Sequence, residues 1–195
     1  MSVSRFLSFL LAAVLAGGAF AQAPAPTPLP DKPEVAPPPT PEAPVPEGAK
    51  AWILMDHVSG QVLAGENIDQ PLEPASITKV MTSYVVAAEM AAGRVKADDM
   101  VRISENAWRS GGAGTDGSYS ALAVNSQVKL DDVLHGLVIQ SGNDAAIALA
   151  EHLAGTEAAF VDMMNAYASK LGMSGSHFEN AHGLTADGHV MTARD

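Results

Sequence analysis

Residues 80–88 carry no charged side chain, and directly ahead of them stand a serine and a lysine three positions apart, Ser76 and Lys79. On a helix, Ile77, Met81, Val85 and Ala88 fall on one face and Val80, Val86 and Ala87 on others. A helix apolar on all sides is expected at the centre of a domain, so this one is predicted to be the buried central helix, closing at Gly93. Residues i and i+3 share a helix face, which lets Ser76 and Lys79 touch across one turn. An amine at the head of a buried helix must find a counter-charge or lose its proton, and in its neutral form it is a competent general base for a neighbouring hydroxyl.

Spacing alone does not single this pair out, because Ser126 and Lys129 repeat it within a polar connection. Only Ser76 stands at the mouth of an apolar helix. A second polar cluster, Ser141-Gly142-Asn143, lies between two helical patterns, where the glycine permits a tight backbone and both polar side chains can face one cavity. Ser104-Glu105-Asn106 repeats that pattern as well.

The chain has 195 residues, enough for one domain with a substantial core. Residues 1–21 read as a secretory signal: Arg5, a short apolar run, then the small-x-small site Ala19-Phe20-Ala21. Residues 22–48 hold 11 of the 13 prolines and read as an extended, semi-rigid linker. The folded domain is expected over 49–195. With no cysteine there is no disulfide, thiolate metal site or cysteine nucleophile. The six histidines lack the spacing of a zinc peptidase, so neither metal nor cofactor is expected. A formal net charge of −11 opposes binding to nucleic acid or to anionic lipid.

Within the domain, residues 51–56 and 61–65 predict a hairpin, and 101–104 a short strand. The glycine-rich stretch 110–118 predicts a surface loop. Three further helices follow: one from Leu130 to Gln140, one capped by Asn143 and stopped by Gly155, and one from Thr156 to Leu171. Thr192 and Asp195 have the spacing of a capping box.

Taken in order with their flanks, Ser76-Ile77-Thr78-Lys79 and Ser141-Gly142-Asn143 resemble the motifs of the low-molecular-mass penicillin-binding proteins, the serine-type D-Ala-D-Ala carboxypeptidases. The flanks are Pro74-Ala75, Met81 to Val86, His135 to Gln140 and Asp144-Ala145, and residues 178–184 are also similar to the family. The resemblance implies an α+β fold of the DD-peptidase and serine β-lactamase kind, with helices on both faces of a mainly antiparallel sheet. It implies Ser76 as the nucleophile, Lys79 as its general base and Ser141 as the proton relay to the leaving amine, with Asn143 binding Lys79 and the substrate amide. The implied substrate is the peptidoglycan pentapeptide, acted on outside the cytoplasmic membrane or in the periplasm, with β-lactam antibiotics as covalent inhibitors.

The family's third motif, Lys-Thr-Gly on a sheet strand, does not occur in this sequence. The expectation is therefore an incomplete, inactive catalytic domain, with later sheet strands and any C-terminal membrane anchor lying beyond it. Two alternatives are a class A β-lactamase and a non-catalytic wall-binding module. The first needs a Glu-x-x-Asn, and Glu151, Glu157 and Glu179 lack an asparagine three positions on. The second fits the missing motif but leaves the retained Ser76, Lys79, Ser141 and Asn143 without a purpose.

Overall fold

The computed structural model describes residues 43, 45–112, 114–115 and 117–195. The expected signal segment and most of the expected linker lie outside the described residues. The domain is α+β, with five α-helices and two small antiparallel sheets among the described residues.

β1 (Trp52–Met55) and β2 (Val62–Glu66) form the expected hairpin, with Trp52 opposite Glu66 and Ile53 opposite Gly65. The Asp56 carboxylate accepts the Val58 and Ser59 amides at the turn. A 3-10 turn (Ala75–Ile77) leads into α1 (Thr78–Ala91), after which Gly93 takes a positive φ of 72°. β3 (Met100–Arg102) pairs with β4 (Gln127–Lys129), which puts Ser126 and Lys129 in and beside a strand rather than on a helix face.

Between the paired strands, α2 (Glu105–Gly111) was not expected from the sequence. Ser104 caps it, accepting the Ala107 amide at 2.9 Å, so the repeated Ser-x-Asn pattern is an ordinary helix start. α3 (Leu130–Gln140), α4 (Asn143–Ala154) and α5 (Glu157–Leu171) follow, α4 and α5 ending at left-handed glycines, Gly155 and Gly172.

The centre of the domain is α4, not α1. Residues 143–150 of α4 are all buried, and the helix packs against α1, α2, α3, α5 and β3. Its alanines make this possible, since short side chains let neighbouring elements approach from every side. At Gly111 the approach is close enough that a Cβ would overlap the backbone of Asn143 and Asp144. α1 instead buries one stripe, including Met81, Val85 and Val86, and leaves Val80 and Tyr84 at 69% and 43% exposure, with Ile77 just ahead of it at 62%. Uniform apolarity allowed burial all round, but neighbours cover only one side.

The head of α4 also differs from expectation. Gly142, not Asn143, is its N-cap, and the Asn143 amide donates to the Ser118 carbonyl at 2.8 Å. The neighbouring carboxylate does the organising: Asp144, buried, accepts the amides of Ser120, Leu122 and Ala145 at 2.7, 3.1 and 2.9 Å. That ties the 118–122 segment to the start of α4.

Two isolated bridges, Leu72 with Met191 and His177 with Val190, bring the chain after α5 back beside the segment entering α1. Residues 178–189 consequently lie against the first turns of α1.

Candidate active site

Ala75, with a φ of 47°, bends the chain at the first residue of the 3-10 turn that carries Ser76. Positive φ is strained for alanine, and Gly183 presses on this bend: a Cβ at Gly183 would overlap the Ala75 carbonyl. A three-residue turn stacks side chains at i and i+3, and the Lys79 amine donates to the Ser76 hydroxyl at 3.1 Å. Ser76 is exposed while Lys79, at 5% exposure, is buried. The nucleophile candidate thus faces solvent with its base candidate behind it.

The amine has a second partner. Lys79 Nζ donates to the His182 carbonyl at 2.7 Å, and one turn on, Thr82 Oγ1 donates to the Ala181 carbonyl at 2.7 Å. Neither partner is anionic, so burial is uncompensated and lowers the Lys79 pKa to about 8. Burial disfavours charge on the nearby histidines as well. Burial first, then the Lys79 and His189 charges, push His182 down to about 4. Burial likewise lowers His189, whose Nε2 lies 2.7 Å from Thr78 Oγ1 and whose Nδ1 accepts the Glu179 amide at 3.0 Å.

Ser141 ends α3 in the left-handed conformation, φ 55° and ψ 37°. For a non-glycine residue this costs on the order of 1 kcal/mol and is typical of functional sites. Ser141 joins Ser76 and Lys79 in lining a cavity of about 170 Å³, walled by Leu137 and Val138 of α3. Asn143, the fourth residue expected at the site, is buried at the head of α4, its side-chain amide against Gly117, and does not line this cavity. Thr82, Glu157, His182 and His189 had no role in the sequence reading. Thr82 and His182 fall within stretches similar to the family, Met81 to Val86 and 178–184, which give no bonding partners, and Glu157 and His189 carried no such signal.

A family described as D-alanyl-D-alanine carboxypeptidase matches residues 39–195. The D-alanyl-D-alanine carboxypeptidase DacC of Escherichia coli strain K12 is 49% identical over 148 residues, covering 75% of this chain and 37% of the relative. DacA of the same strain is 45% identical with the same coverage. Penicillin binding protein 5 from Haemophilus influenzae superposes with a TM-score of 0.73 at 40% identity, over 78% of this chain and 44% of that one. The chain thus spans 37% of the length of these two curated relatives. Both the sequence match and the shared fold have the same consequence: the chain belongs to the D-alanyl-D-alanine carboxypeptidase family.

Proposed function

We propose that this chain is part of a serine-type D-Ala-D-Ala carboxypeptidase that removes the terminal D-alanine from peptidoglycan stem peptides through an acyl-enzyme on Ser76. The observation that carries the reading is a buried lysine amine, its pKa brought down to about 8, within 3.1 Å of an exposed serine hydroxyl. As Ser76 Oγ attacks the carbonyl of the penultimate D-alanine, Lys79 takes its proton. The tetrahedral intermediate collapses, the C–N bond breaks, and Ser141 relays a proton to the departing amine. Water then hydrolyses the ester and regenerates Ser76. Asn143 is assigned to substrate binding by its place in the second motif. β-Lactams acylate the same hydroxyl and act as covalent inhibitors.

Residues 49–195 are read as the N-terminal part of the catalytic domain, which by itself does not turn over peptide. The absence of Lys-Thr-Gly supports this, as does the uncovered apolar side of α1. Residues 1–21 are read as the export signal and 22–48 as a spacer, which places the enzyme in the periplasm or on the outer face of the cytoplasmic membrane.

The test is made on a version extended to the length of the relatives. D-alanine release from a peptide ending in D-Ala-D-Ala, lost in Ser76→Ala, is expected. Unchanged release in Ser76→Ala would overturn the reading.

A further inference from the structure

A glutamate in the first turn of a helix ordinarily faces solvent and complements the helix dipole. Glu157, the first residue of α5, turns inward. Its Oε1 accepts the Ala181 amide at 3.0 Å and lies 3.5 Å from His182 Nε2. The His182 ring is 10% exposed, and its Nδ1 accepts the Leu184 amide at 3.2 Å. That fixes the proton of the neutral ring on Nε2, facing Glu157.

The Ala181–His182 dipeptide is therefore held from two sides. On one, Glu157 takes the Ala181 amide and faces the His182 ring. On the other, the carbonyls of both residues accept from Thr82 and Lys79, one turn apart on α1. We propose that Glu157 is a positioning residue: by anchoring the Ala181–His182 backbone from α5 it fixes the carbonyl that seats the Lys79 amine, and so sets where that amine stands relative to Ser76. The proposal rests on the proposed function for its catalytic meaning, and on this geometry alone for its effect on Lys79.

The charged and titratable groups around the contact are few. His182 faces Glu157, Glu151 of α4 raises the Glu157 pKa through its charge, and Lys79 and His189 act on His182. Burial is the largest cause of the upward shift of Glu157. What the anchor supplies is an acceptor in a fixed place, and a neutral amide oxygen can replace it.

The experiment compares wild type, Glu157→Gln, Glu157→Ala and Thr82→Val. In the full 195-residue chain, Lys79 is titrated by NMR of isotopically labelled lysine side chains, assigned with Lys79→Arg. In the extended protein, acylation of Ser76 by a fluorescent penicillin is followed across pH.

Glu157→Ala is expected to move the Lys79 titration upward by about one unit or more as water enters behind the loosened loop. Its acylation rate is expected to fall by about 10- to 100-fold. Glu157→Gln, which keeps an oxygen acceptor, is expected to stay within about threefold of wild type. Thr82→Val, which frees the same dipeptide from the α1 side and folds independently of the Glu157 change, is expected to shift the titration in the same direction. A wild-type titration in both Glu157→Ala and Thr82→Val overturns the proposal, as does Glu157→Gln being as defective as Glu157→Ala. If the extended wild type is never acylated, the functional reading fails, and the titration still decides the positioning role.

Discussion

Lys79 donates its amine to the Ser76 hydroxyl at 3.1 Å, with the lysine buried and the serine open to solvent. The pair is asymmetric in the way the proposed covalent catalysis requires, since the proposed base loses hydration while the proposed nucleophile stays reachable.

If Lys79 is the base, its replacement removes proton transfer without removing the nucleophile. Lys79→Arg in the extended protein is expected to slow penicillin acylation by about 10²- to 10⁴-fold, because guanidinium stays protonated. Ser76→Ala is expected to abolish the label and, at an exposed position, leave the thermal midpoint nearly unchanged. Intact-protein mass spectrometry and thermal denaturation check both.

The acylation rate is expected to rise with pH through about 8 and then level off, because only the free amine accepts a proton. The same lowered pKa has a stability consequence. Between about 8 and the ordinary lysine value of 10.5 the unfolded chain binds the proton that the folded chain has released. Stability of wild type relative to Lys79→Met should therefore increase as pH rises across that window. Urea denaturation at a series of pH values measures it.

At the acid end, His182 is held neutral, its pKa brought from 6.5 to about 4. The unfolded chain takes up a proton first, so the stability linked to this ring is complete above 6.5 and is lost as pH falls toward 4. The full effect is on the order of 3 kcal/mol, since each unit is worth about 1.4 kcal/mol. His182→Gln should flatten the acid limb of the stability profile, and a limb as steep as wild type would exclude His182 as its source.

Gly183 has a φ of 93° and an added Cβ there would overlap the Ala75 carbonyl, whereas at Gly188, with a φ of 86°, an added Cβ would meet only the Glu179 carboxylate, at 3.3 Å. Gly183→Ala is expected to cost more than about 2 kcal/mol, from strain plus overlap, and Gly188→Ala about 1 kcal/mol from strain. Only Gly183→Ala should also displace Ser76 and reduce labelling in the extended protein. Equal losses in the two variants would show that the contact with Ala75 is not what places the nucleophile.

Asp144 satisfies three backbone amides from a buried position. Asp144→Ala is expected to destabilise the domain by about 3 kcal/mol or more, with Asp144→Asn intermediate because it retains one oxygen acceptor. Chemical denaturation gives the order directly.

Much of the fold was legible locally. The hairpin, the helix stops at Gly93, Gly155 and Gly172, and the helices over 130–140 and 157–171 follow from turn residues and periodicity. Thr192 and Asp195 likewise make the bond their spacing suggests, Thr192 Oγ1 accepting the Asp195 amide at 3.1 Å. α2 was hidden because it is short and runs into glycines, and the rank of α1 and α4 was reversed because apolarity does not say which sides find neighbours. Alanine, modest on any hydrophobic count, gives α4 the centre by letting five elements approach it.

Sequence by itself brought Ser76 and Lys79 within reach of each other, because residues three apart at the head of a helix lie one turn apart on the same face. Tertiary structure decided what that contact is worth. The burial that lowers the lysine pKa, the His182 carbonyl 103 residues away, and the arrival of Ser141 at the same cavity all depend on how separate helices pack. A hydrogen bond across one turn is set by local geometry, whereas desolvation is a property of everything that surrounds the group, and no local pattern records it.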